Sequence, residues 1–243
     1  MRYMHVLFGL SAMLLFTAVT KAEEKITLLV HTQQPLTYLE NGTITGVVGD
    51  KVALAFQTAG LEFEVRLVAL KRELLMLKKN LLPNTCGASW FKNPEREKYL
   101  RYSVPLYQDP PVSLLVRRED YSRFQSYPDF KDVLLDRERS VGLVSGFSYG
   151  QQVDAMLEEL QPAKVMAPDN ASMFRMLLAG RFDYLITDEI EATGQLQEIG
   201  AIQDQVHFVT FSDLPEGSWR YIVCNMRTDP TIMERLDQAI SKM

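Results

Sequence analysis

The residues with the most distinctive chemistry are two cysteines, Cys86 and Cys224, and three histidines, His5, His31 and His207. The histidines are scattered and none stands at metal-ligand spacing, so neither a structural metal nor a cofactor is expected. No histidine lies near either cysteine along the chain, which argues against a base-activated thiol nucleophile. Arg96 follows Asn93-Pro94-Glu95. A guanidinium is a rigid planar fork that grips a carboxylate through two bonds, which the point charge of lysine cannot do. By its surroundings alone, however, Arg96 reads as a surface residue on a helix opened by that tripeptide. Asp188 stands just before Glu189, where its carboxylate would cap a helix N-terminus.

The compartment decides how the cysteines are read. Arg2 precedes an apolar run, VLFGLSAMLLFTAVT at residues 6–20, followed by Lys21-Ala22 and the acidic Glu23-Glu24. This order of basic, apolar and small-residue segments is that of a secretory signal peptide. The alternative is a retained anchor, although the run is shorter than the roughly 20 residues of an ideal spanning helix. Cleavage after Ala22 would release a chain soluble outside the cytoplasmic membrane, more acidic than the precursor because Arg2 and Lys21 leave. In an oxidising compartment a Cys86–Cys224 disulfide becomes the leading reading, with two separate buried thiols as the alternative. Such a bridge would close a loop over most of the protein, for which the chain-entropy model gives at most about 5 kcal/mol.

Elements that could position these residues follow from periodicity. With 47% hydrophobic and 23% charged residues the chain is a globular mixture, which excludes disorder, collagen and coiled coil. The formal charge is −5 and no basic tract occurs, so a nucleic-acid partner is not expected. Residues 25–31 read as a strand, followed by a loop around Gln33 and Pro35 and a hairpin at Asn41-Gly42. Residues 50–60 carry Val52, Ala55, Phe56 and Ala59 on one helical stripe, residues 61–70 begin as a strand, and residues 71–80 form an amphipathic helix. Residues 85–91 and 220–226 read as strands. This strand, helix, strand order implies a mostly parallel sheet. From residue 112 the pattern restarts, with strands near 112–116, 141–144, 164–167 and 183–187 and helices near 149–160, 172–178 and 189–199, before a final helix at 230–242. An α/β fold of two lobes is expected: residues 23–111 and 208–243 in the first, 112–207 in the second, after a signal peptide at 1–22.

Three segments, taken in order, resemble the family 3 extracellular solute-binding proteins, the periplasmic amino-acid-binding proteins of ABC transporters. Residues 35–55 carry a Pro, the Asn41-Gly42 turn, Gly46 and Asp50. Residues 89–107, SWFKNPEREKYLRYSVPLY, resemble that family's Thr-Pro-Glu-Arg, apolar-Ser and Pro-x-Tyr pattern. Residues 180–189, GRFDYLITDE, resemble its Gly-Arg-x-Asp run ending in a second Asp. The chain is identified as a divergent member. The resemblance implies a periplasmic binding protein-like fold, with a cleft between lobes and two crossover hinge strands.

It also implies roles for single residues. Arg96 would clamp a ligand carboxylate from the first lobe, and Asp188 would accept from the ligand ammonium on the second. Ser89 and Ser148 match positions whose hydroxyls or amides bind the carboxylate, and Gln33 falls where side-chain-sensing residues stand. Phe91 and Phe147 depart from the family pattern, replacing hydroxyl residues. If they face the cleft, they make it drier and raise the demand on Arg96 and Asp188. Trp90, alternating with Ser89 and Phe91 on a strand, is expected in the core.

The implied function is capture of a small polar ligand, an amino acid or related zwitterion or carboxylate, for delivery to a membrane permease, with no catalysis and as a monomer. The alternative is a degenerate binding protein serving as a periplasmic sensor or adaptor, with a sensor receptor as partner. A lesser alternative is a dehydratase-like enzyme using Asp188 or Glu189 as acid or base; the end at Met243 leaves no expectation of an added catalytic domain.

Overall fold

The computed structural model describes residues 25–243, so the leader expected at residues 1–22 lies outside the described residues. The first apolar run becomes β1 (Ile26–Val30), buried along its whole length. Neighbouring side chains on a strand point to opposite faces, so a strand buried throughout is covered on both sides, as parallel strands are. A hairpin follows, β2 (Tyr38–Glu40) and β3 (Thr43–Thr45), turning at Asn41 and Gly42 with both φ angles positive, as a two-residue hairpin turn requires. Then come α1 (Gly49–Thr58), β4 (Phe63–Leu67), α2 (Leu70–Lys78), β5 (Thr85–Phe91), α3 (Pro94–Glu97), β6 (Leu100–Tyr102) and β7 (Tyr107–Gln108).

The chain next builds a second sheet: β8 (Ser113–Arg117), α4 (Tyr121–Phe124), α5 (Phe130–Leu135), β9 (Ser140–Val144), α6 (Gln151–Leu160), β10 (Ala163–Ala167), α7 (Asn170–Leu178), β11 (Tyr184–Thr187), α8 (Glu189–Glu198) and β12 (Val206–Val209). It returns as β13 (Trp219–Asn225) and ends in α9 (Pro230–Ile240). The first sheet runs β4-β1-β5-β13-β6 with β7 also on β13, and the second runs β10-β9-β11-β8-β12. This is the periplasmic binding protein architecture, with segments 109–112 and 210–218 passing between the sheets. Because β12 pairs with β8 up to Val209, the second sheet extends two residues past the 207/208 boundary read from the sequence.

Neither sheet is purely parallel. β13 runs antiparallel to β5, β6 and β7, and β8 runs antiparallel to β11 and β12. The strands that carry the chain into or out of a lobe arrive from the crossover side, opposite to the strands fed by helices. Each sheet has apolar clusters on both faces. In the first lobe Leu28, Phe56, Ile222 and Leu236 share one cluster, and Leu29, Leu77, Trp90 and Val223 the other.

Cys86 and Cys224 face each other across β5 and β13 and form a disulfide between residues 138 apart in sequence. The loop it closes contains the entire second lobe. Among the described residues no helix is long and apolar enough to cross a membrane.

Candidate functional site

The β5–β13 pair that carries the disulfide also builds one wall of the cleft. Its register passes from Tyr221 opposite Trp90 to Val223 opposite Gly87, so Ala88 and Ser89 together face Ile222. That is a β-bulge, and Ser89 at its centre has a φ of 64°. A bulge re-aims side chains that strict alternation would send to opposite faces. As a result Ser89, Trp90 and Phe91 all reach one cavity, although Trp90 is buried as expected. Positive φ at a non-glycine residue concentrates where function holds the backbone.

The cavity lies between the lobes and measures about 30 Å³, room for a water or two. Six of the residues singled out in the sequence line it: Gln33, Ser89, Phe91, Arg96, Phe147 and Ser148, together with His31, Leu70, Trp90 and Arg220. Both departing phenylalanines are therefore cavity walls. Asp188 does not line it.

Arg96 sits on the four-residue α3, whose first turn is set by Pro94 and capped by Asn93, with Arg96 N donating to Asn93 Oδ1 at 2.9 Å. Its side chain is 6% exposed and turns inward. Nη1 donates to the Phe91 carbonyl at 3.3 Å and Nη2 to the Gly146 carbonyl of the second lobe at 3.0 Å. The guanidinium lies 4.7 Å from the centre of the Trp90 ring. Among the described residues no carboxylate pairs with it. A buried cation answered only by carbonyl dipoles and a ring face is poised for an anion.

A second guanidinium, Arg220, was not singled out in the sequence. It is buried on β13, and its Nε donates to Asp109 Oδ1 at 2.7 Å. Nη1 reaches Gln33 Oε1 at 3.3 Å and Ser89 Oγ at 3.1 Å. Burial acts to lower its proton affinity, but Asp109 outweighs that and leaves it raised. Gln33 in turn donates from Nε2 to Glu191 Oε1 at 2.8 Å, across the cleft. Glu191 also accepts from Asn170 Nδ2 at 2.6 Å. A polar chain from Asp109 through Arg220, Gln33 and Glu191 to Asn170 thus ties the first lobe to the second.

Asp188 caps α8, accepting from Glu191 N at 2.9 Å. Burial, reinforced by the nearby Glu191, pushes its carboxyl up to about 6, against the helix-cap bond. Ser148 donates its hydroxyl to Asp154 Oδ2, and Asp154 Oδ1 accepts from Tyr149 N at 2.8 Å. Burial raises the Asp154 carboxyl too. His31, at the end of β1, holds Nδ1 2.7 Å from Glu73 Oε2, while Trp90 Nε1 donates to Glu73 Oε1 at 2.8 Å. The fully buried Glu73 fixes both rings at the cavity edge, and His31 meets Phe147 of the second lobe at 5.8 Å between centroids.

The lobes also touch directly. Gln195 Nε2 donates to the Gln34 carbonyl at 2.6 Å, and Ile190 packs on the first lobe's core. Gly194 on α8 faces the Pro35 ring so closely that a Cβ there would lie 2.3 Å from Pro35 Cδ.

Comparison with known proteins identifies the family. The chain matches the bacterial extracellular solute-binding proteins, family 3, over residues 26–243, and it belongs to that family. No curated protein matches it by sequence. Among solved structures it resembles a histidine kinase sensor domain with similarity to periplasmic binding proteins (TM-score 0.72, 17% identity, covering 90% of each chain). It also resembles the arginine-, lysine-, histidine-binding protein ArtJ of Geobacillus stearothermophilus (TM-score 0.71, 14% identity, 90% of this chain and 89% of that one). A third likeness is to the VFT2 domain of Bordetella pertussis BvgS in a double-mutant form (TM-score 0.69, 18% identity, 90% and 87%). At these identities the likeness is one of fold.

Proposed function

We propose that this family 3 solute-binding protein captures a small carboxylate-bearing solute outside the cytoplasmic membrane and signals its capture by closing two lobes over it. The observation that carries the reading is Arg96: a buried guanidinium in an interlobe cavity, with no carboxylate partner among the described residues and one bond already made to the opposite lobe. A ligand carboxylate would compete with the Gly146 carbonyl for Arg96, and the charge-assisted pair is the stronger of the two. Ser89 and Ser148 supply neighbouring hydroxyls, Gln33 completes the polar wall, Asp188 stands behind it as the cap of α8, and Phe91 and Phe147 keep water out. The reading contains no chemical step. A membrane permease of an ABC importer would read the closed form, whose population the ligand raises.

A second reading, a sensor or adaptor that hands its closure to a receptor, is favoured by one observation. Gln33–Glu191, Gln195–Gln34 and Pro35 against Gly194 hold the lobes through protein contacts alone. The two readings share the cleft and differ in the membrane partner.

The test is a thermal-shift and calorimetric screen of carboxylates and amino acids on the wild-type protein and Arg96→Gln. A ligand at a hundred times its Kd stabilises by about 2.7 kcal/mol. That gain should vanish in the variant while its far-UV spectrum stays unchanged. Equal stabilisation of both proteins would remove Arg96 from the site.

A further inference from the structure

An α-amino acid presents two charges, and a cleft that selects it must answer both. Arg96 answers a carboxylate. No side chain lining the cavity is a carboxylate, so the ammonium has no anionic partner there. Each nearby acid stands outside the lining and already accepts hydrogen bonds. Asp109 is paired with Arg220. Glu73 is held by His31 and Trp90. Asp154 accepts from Ser148 and Tyr149. Asp188 caps α8 and stands outside the lining, and Glu191 accepts from Gln33 and Asn170.

The charged side chains that line the wall are guanidinium groups, of which Arg220 is paired with Asp109 and Arg96 has no carboxylate partner among the described residues. Arg220 and Arg96 are both buried there, and His31 can only add positive charge, never negative. The polar acceptors left for an ammonium, Ser89 Oγ and Gln33 Oε1, already lie against Arg220 Nη1. An ammonium placed among them would compete with Arg220 Nη1 for these acceptors and would face Arg96, the one wall cation with no carboxylate partner among the described residues, in a site with little water to screen it. The rest of the wall is Leu70, Trp90, Phe91 and Phe147, an apolar and aromatic surface that suits a carbon skeleton.

We infer that the cleft selects a small organic carboxylate lacking an ammonium group over the amino acid of the same skeleton. This rests on the reading of the cleft as a solute site and names the class of solute.

The experiment compares matched pairs on the purified wild-type protein by isothermal calorimetry: propionate and pyruvate against alanine, 3-phenylpropionate against phenylalanine, 2-oxoglutarate against glutamate. In every pair of which either member binds, the nitrogen-free acid is expected to bind more tightly than its amino acid, by tenfold or more in the best pair. An amino acid that binds as tightly as or more tightly than its partner overturns this inference and leaves the capture of a carboxylate-bearing solute standing. Failure of every compound in both sets overturns the capture reading along with it. Since the comparison is made on the unaltered protein, no outcome depends on a variant that folds poorly.

Discussion

The two walls of the cleft are built differently. The first lobe offers side chains: Arg96, Arg220, His31, Gln33 and Ser89 converge on the cavity from α3, β13, the segment after β1 and β5, with the disulfide behind them. Arg220, Ser89 and His31 are held by the buried Asp109, Arg220 and Glu73 of the same lobe, so their positions are set before any ligand arrives. The second lobe offers chiefly backbone and helix ends. The Gly146 carbonyl receives Arg96, the Ser148 hydroxyl is turned to Asp154, and Asp188 caps its own helix. Only the Phe147 ring and Ser148 join the cavity wall from that side. On the proposed reading the difference is a division of labour in which the first lobe would decide what is bound and the second how readily the cleft shuts. Changes in the first should alter ligand choice and lobe stability together, and changes in the second should alter closure.

The largest effect expected on this comparison is in the first wall, at Asp109→Ala. The change leaves the Arg220 guanidinium buried without its carboxylate, a situation that typically costs about 3 to 5 kcal/mol. Urea unfolding should show that loss, and ligand response should fall with it because Arg220 holds Ser89 and Gln33. Replacing both members, Asp109→Leu with Arg220→Met, should recover most of the stability and none of the ligand response. If the double variant stays as unstable as the single one, the pair is not what organises this wall.

How much of this was legible in the sequence depends on distance along the chain. Arg96 was visible because it sits in a short local motif, and the cap at Asp188 was visible because Asp before Glu189 is a local signal, whereas the cavity lining does not include Asp188. The Asp109–Arg220 pair joins residues 111 apart that flank the two crossings between lobes, and no local pattern announces it. Glu73 looked like one acid in an amphipathic helix, but the helix buries it completely beneath Trp90 and His31. Strand alternation placed Trp90 away from Ser89 and Phe91, and the bulge at Ser89 cancelled that expectation, since a bulge leaves no signature in residue type here. The short strands β6, β7 and β12 went unread because runs of two to four residues carry too little periodicity to register. Their pairing with β13 and β8 is what makes them strands.

A smaller effect sharpens the second wall. Asp188 titrates at about 6 in the folded protein, against 3.8 for an ordinary aspartate, because burial disfavours its charge. Above pH 6 both folded and unfolded chains carry the carboxylate, and the folded one bears the cost of burying it. As pH falls from 6 toward 4 the folded chain takes up the proton first, so this residue's contribution to stability improves on acidification. Asp188→Asn keeps a good N-cap and removes the buried charge. It should stabilise the protein at pH 7 by on the order of 2 kcal/mol. The advantage over wild type should shrink toward zero near pH 4, read from denaturation midpoints at each pH. A gap that stays constant with pH would mean that Asp188 does not titrate in this way.

The smallest expected effect is also the one that separates closure from recognition most cleanly. A glycine inside a helix costs roughly 1 kcal/mol relative to alanine, so Gly194→Ala should strengthen α8 taken alone. In the closed molecule, however, the added methyl would sit 2.3 Å from Pro35 Cδ and 2.8 Å from its nitrogen, well inside contact distance. Neither a proline ring nor backbone can bend aside, so the lobes must part. The variant is therefore expected to keep or slightly raise its melting temperature while its radius of gyration in X-ray scattering increases and its ligand affinity drops about tenfold, or about 1.4 kcal/mol. The exposed Gln197→Ala on the same helix serves as the control and should change neither scattering nor affinity. Since no part of Gly194 lines the cavity, an affinity loss there would have to come from closure, which is the second lobe's share of the work. An unchanged radius with unchanged affinity would show that the Pro35 contact does not limit closure.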